Sequence, residues 1–106
     1  MKRKPRNQEL LALEEKAEEA SRLLAAMSNP KRLLVLCNML DGERSVGELA
    51  EIAGLSSAAL SQHLGKMRAL SLVKTRREAQ TIYYSLASHE VRSVLETLYR
   101  LFCAPK

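Results

Sequence analysis

A chain of 106 residues is sized for one domain, since domains commonly run to roughly 100–200 residues. With 46% of its residues apolar it is no disordered chain, yet no apolar run approaches the roughly 18 residues of a membrane span. The formal charge of +5 is weak evidence of a nucleic-acid partner until the basic residues are placed on one surface.

Residues 1–7 read as a basic disordered tail interrupted by Pro5, and residues 8–106 as the domain. No apolar segment follows the basic start, so no signal peptide is expected and the protein is placed in the cytoplasm. Leu10, Leu13, Ala17, Ala20, Leu24 and Met27 recur at three- and four-residue steps, which predicts a helix from Gln8 to Met27. Its polar side is acidic, with Glu9, Glu14, Glu15, Glu18 and Glu19. Asn29 and Pro30 suit the N-cap and first helical position of a second helix, expected to run to Leu40 with Leu33, Leu36, Cys37 and Leu40 on one face. Asp41-Gly42 reads as a turn.

Ser45 and Glu48 have the spacing of a capping box, which starts a third helix over Val46–Ala53 ended by Gly54. A fourth helix is expected over Ser57–Ala69. After Leu70 the pattern changes. Leu72–Arg77 and Thr81–Leu86 are rich in β-branched and aromatic residues and flank Glu78-Ala79-Gln80, which predicts a hairpin. Ser88 caps a last helix to Cys103, with Val91, Val94, Leu95, Leu98, Leu101 and Phe102 apolar. The fold class is therefore mainly α with a small β-hairpin, in the layout of a winged helix-turn-helix.

The fourth helix has two faces. Leu60, Leu64 and Met67 fall at i, i+4 and i+7 and are expected in the core. Ala58, Ser61, Gln62 and Gly65 lie largely opposite. A small polar face lets a helix enter the major groove, where Gln bonds adenine through paired donor and acceptor. Ser56 and Ser57, at the helix start, suit a phosphate. His63 reads equally as a phosphate contact or as packing at the helix edge. Lys66, Arg68, Lys74, Arg76 and Arg77 form a basic cluster, with Gln80 and Thr81 turning back from the hairpin tip. In a wing, such residues follow phosphates or enter the minor groove; in a plain hairpin they only keep it soluble. Apolar stripes on the first and last helices exceed what a small core needs and suggest a homodimer, hence a pseudo-palindromic operator of double-stranded DNA.

Two cysteines, Cys37 and Cys103, do not make a disulfide scaffold or a zinc ribbon. On the residues alone, Cys37 reads as a small buried hydrophobe and Cys103 as an idle residue near a frayed end. Four stretches, Leu24–Leu33, Ser45–Leu49, Leu55–Leu64 and Leu72–Tyr84, resemble in order and spacing the ArsR family of winged-helix repressors. The resemblance implies a dimer built from the first and last helices and repression relieved by an inducer. The family's usual metal site in the third helix would need cysteines where Ser45-Val46-Gly47-Glu48-Leu49 stands. The site on the last helix would have only His89 and Glu90, so no metal or cofactor is expected. The cysteine placement is similar to the persulfide-sensing branch, of the BigR, SqrR and HlyU type. That likeness makes Cys37 and Cys103 the pair that reactive sulfur species modify and bridge.

The leading reading is thus a dimeric repressor that leaves DNA when Cys37 and Cys103 are bridged. Alternatives are a peroxide-sensing thiol repressor, a HlyU-like activator that displaces a silencer, and a winged helix that binds protein. An enzyme is not expected, because no paired carboxylates, nucleophile–base spacing or phosphate loop occurs.

Overall fold

The computed structural model describes residues 7–103 and residue 105; the tail expected over residues 1–7 lies, except for Asn7, outside the described residues. The helices are α1 (Asn7–Met27), α2 (Pro30–Cys37), α3 (Val46–Ala53), α4 (Ser57–Ala69) and α5 (His89–Phe102), with strands β1 (Arg44–Ser45), β2 (Val73–Glu78) and β3 (Thr81–Leu86). The sheet is antiparallel in the order β1-β3-β2. No described helix is long and apolar enough to cross a membrane.

Local chemistry sets most of these boundaries. Asn29 accepts from the backbone N–H groups of Lys31 and Arg32 and starts α2 behind Pro30. Ser45 and Glu48 form the reciprocal capping box of α3. Gly54 closes α3 at φ 65°, a left-handed conformation that costs glycine least. Its N–H donates to Glu51 O and that of Leu55 to Ala50 O, which completes a Schellman cap. Lys31 Nζ donates to Ala53 O at 2.6 Å, adding a cation where the α3 dipole is negative.

Three features differ from the sequence expectations. The α-helical part of α2 stops at Cys37 instead of Leu40. Met39 and Leu40 continue with three-residue bonds to Leu36 O and Cys37 O, a tightened last turn of the 3₁₀ kind. The hairpin loop holds two residues, not three, because Glu78 pairs with Thr81; Ala79 takes φ 55° to close it. β1 was not expected: Arg44 and Ser45 pair with Tyr84 and Tyr83 of β3. Arg44 anchors this short strand by donating from Nε to Asn38 O at 3.0 Å.

The core lies where α2, α3, α4, α5 and the inner face of the hairpin meet. Leu36, Met39, Leu49, Leu60, Leu64, Met67, Leu72, Val91 and Leu95 are fully buried there. Burying a side chain of this size stabilises by roughly 1.5–3 kcal/mol. From α1, Ala26 and Met27 are buried in that core and the half-buried Leu23 packs against it. Leu10, Leu11, Leu13 and Leu24 of α1 are exposed, as are Tyr99, Leu101 and Phe102 on α5.

Candidate nucleic-acid interface

α4 turns its inner face to the core as its periodicity requires: Leu60, Leu64 and Met67 are buried. Ser56 caps it, its Oγ accepting the Ala59 N–H at 3.1 Å. Ser57, Ala58, Ser61, Gln62, Gly65 and Lys66 are exposed along the outer side. A Cβ added at Gly65 would meet nothing within 4 Å, so that surface is open. The α4 dipole is positive at Ser56 and Ser57, and free N–H groups there suit an anion.

His63 sits at the edge of this surface, half-buried. Its Nδ1 accepts from Arg32 Nε at 3.2 Å. Neither the phosphate reading nor the packing reading of His63 contained this partner, because residues 31 positions apart share no local pattern.

In the hairpin, the register places Lys74, Arg76 and Glu78 opposite Ser85, Tyr83 and Thr81. Lys74, Arg77, Gln80 and Thr81 are exposed, and neither Lys74 nor Arg77 makes an ion pair among the described residues. Arg76 is placed differently. Its Nη2 meets Glu43 Oε1 at 2.6 Å and its Nε meets Oε2 at 3.2 Å. Glu78 lies 3.7 Å from the same guanidinium, which stacks 4.7 Å from the Tyr83 ring centroid. The hydrogen bond from Arg76 holds the Glu43 carboxyl below its ordinary range, and Glu43 raises Arg76 in return. A bidentate fork with a stacked ring is a rigid use of arginine. Glu43 therefore braces the wing against the loop that precedes β1, and a phosphate would have to compete with it for Arg76.

Both cysteines are free thiols. Cys37 ends α2 and is half-buried; Cys103 follows α5 and is exposed. α2 packs on α5, and Arg92 Nη1 ties the two by donating to Leu40 O at 2.8 Å. Burial, and secondly the negative charge that Cys103 can carry, push the Cys37 thiol above its ordinary range. Among the described residues, no three of His, Cys, Asp and Glu gather to hold a metal ion.

A helix-turn-helix whose second helix is exposed on a small polar face, followed by a basic antiparallel hairpin, defines the winged helix-turn-helix class of DNA-binding regulators. Residues 29–75 match the family described as bacterial regulatory protein, arsR family. The chain belongs to the ArsR family and is a transcriptional regulator, not an enzyme. It is 50% identical over 94 residues to the transcriptional activator HlyU of Vibrio cholerae, covering 89% of this chain and 87% of that one. The solved structure of reduced HlyU from Vibrio cholerae superposes with a TM-score of 0.85 at 49% identity, over 88% and 98% of the two chains. That of the transcriptional repressor BigR from Xylella fastidiosa gives a TM-score of 0.81 at 38% identity, over 89% and 96%.

Proposed function

We propose that this regulator is a cytoplasmic homodimeric repressor that holds a pseudo-palindromic DNA site and releases it when Cys37 and Cys103 are bridged by reactive sulfur. Ser56, Ser57, Ala58, Ser61 and Gln62 of α4 enter the major groove, and Lys66 and His63 flank it. Lys74, Arg77, Gln80 and Thr81 follow the phosphates from the wing, with Arg76 joining them only by leaving Glu43. The apolar residues exposed on α1 and α5 support a dimer seam, and two-fold symmetry would present two α4 helices to two half-sites.

The observation that carries the control reading is the pair of free thiols at the ends of α2 and α5, two helices that pack on each other. The exposed Cys103 reacts first: its thiolate attacks a linear polysulfide, a shorter polysulfide leaves, and two sulfur atoms are retained on Cys103. Cys37 then loses its proton to solvent, attacks the inner of those two atoms and expels hydrosulfide. The result is a bridge containing one inserted sulfur. An inserted atom spans a gap too wide for a strain-free disulfide. Bridging pulls the end of α5 onto the end of α2, whose other end contacts α4 through Arg32.

The repressor BigR and the activator HlyU share this fold, and HlyU's activity favours a second reading in which the same surfaces displace a silencer. The chemical reading is tested by the intact mass of the reduced protein after polysulfide and after peroxide. Polysulfide is expected to add sulfur while removing two hydrogens in the wild type, and Cys37→Ser is expected to stop at an unbridged adduct. A loss of two hydrogens alone with either reagent would favour a peroxide-type disulfide, and no change with polysulfide would sink the sulfur inducer.

A further inference from the structure

Arg32 lies in the first turn of α2 and is half-buried. Its side chain has two acceptors on two other helices. Nη1 donates to Ala26 O, in the last turn of α1, at 3.0 Å. Nε donates to His63 Nδ1, on α4, at 3.2 Å. Its own backbone N–H is fixed by Asn29 Oδ1 at 3.1 Å. The guanidinium is a planar fork, so satisfying both acceptors fixes its orientation.

The bond to His63 has a chemical consequence. Arginine only donates, so the Nδ1 that receives its N–H carries no proton. A neutral imidazole holds one proton, which is then on Nε2, and the tautomer is set by the bond that the other nitrogen makes. The free edge of the His63 ring is therefore a donor, at the flank of α4 beside the exposed Gln62 and Lys66. A phosphate oxygen accepts and cannot donate, so only this tautomer of the neutral ring bonds it through Nε2.

We propose that Arg32 is a positioning residue for DNA binding: it locks His63 as the Nε2–H tautomer that donates to a backbone phosphate, and through Ala26 O it holds α4 in register with the end of α1. This rests on α4 being the DNA-contacting helix. Arg32 itself stays on the protein side of the interface, so its contribution reaches DNA only through His63.

The test uses the full chain, a duplex selected by the wild-type protein from a random-sequence pool, and the variants Arg32→Met, His63→Ala and the double substitution. Nitrogen-15 spectra of the imidazole, recorded without DNA, are expected to show His63 proton-bearing at Nε2 and bare at Nδ1. Arg32→Met is expected to mix the two forms. Each single variant is expected to bind the duplex about tenfold more weakly, equivalent to about 1.4 kcal/mol, and the double variant no more weakly than His63→Ala. A proton on Nδ1 in the wild type, an unchanged tautomer in Arg32→Met, or single losses that multiply in the double variant would overturn the proposal. If Arg32→Met does not fold, Arg32→Lys replaces the fork by one ammonium facing two acceptors, and the same mixing of tautomers is expected. A wild-type protein that selects no duplex would defeat the reading of α4, whereas the spectrum judges the lock independently of DNA.

Discussion

Leu64→Ala is expected to lower the free energy of unfolding by about 2–5 kcal/mol, the range for truncating a buried leucine. Leu64 is 1% exposed and projects from α4 between Leu60 and Met67 into the core that α2, α3 and α5 share. The helix that carries it is tied at both ends by caps and cannot collapse into the cavity without moving its outer face. Domains of this kind are stable by about 5–15 kcal/mol, so the loss removes a large share of the total. DNA binding should fall with it, because the outer face of α4 has no independent support. Urea unfolding checks the first part. Ser61→Ala, on the exposed side of the same helix, is the control and should change stability by less than about 0.5 kcal/mol. A Leu64→Ala protein as stable as that control would contradict the packing of α4.

Gln62→Ala is expected to weaken binding to the selected duplex by about 1–3 kcal/mol, the range for one bidentate base contact. Binding to a random-sequence duplex should hardly change. Arg77→Ala should weaken binding to both duplexes alike and reduce the slope of log affinity against log salt by about one. The contrast follows from position. Gln62 lies on the outer face of α4, whereas Arg77 is exposed near the hairpin tip without an ion pair among the described residues. Neither side chain supports the core, so both variants should fold as the wild type does. Fluorescence anisotropy against both duplexes over a salt series distinguishes the two roles. Equal, sequence-blind losses for both would count against Gln62 as a base reader.

The α4 assignment was legible because its signals are local. Leu60, Leu64 and Met67 have helical spacing, Ser56 and Gly54 punctuate the turn, and the switch to β-branched residues after Leu70 marks the wing. β1 was hidden because two residues carry no periodicity, and Arg44-Ser45 pairs only once β3 is beside it. The end of α2 was overrun because Leu40 keeps the helical spacing while the backbone has already tightened. Arg32 and Glu43 were missed as parts of the site for a related reason. Their partners, His63 and Arg76, lie 31 and 33 positions away, and no pattern in one sequence couples such pairs. Arg76 looks like its neighbour Arg77 in sequence, and only the placement of Glu43 separates a braced arginine from one without an ion pair among the described residues.

The α1 and α5 stripes are informative in the opposite sense. Their periodicity announces helices correctly, yet Leu10, Leu13, Leu24 and Leu101 are exposed in the single chain. Periodicity says which face is apolar and not what covers it.

The joining of DNA reading to thiol chemistry is tested most directly by titrating the selected duplex with reduced wild-type protein and with Cys37→Ser, before and after polysulfide. The wild type is expected to bind when reduced and to release the duplex when its cysteines are bridged. Cys37→Ser is expected to bind equally well and to stay bound. Release of both proteins alike, or of neither, would contradict a switch that works by joining Cys37 to Cys103.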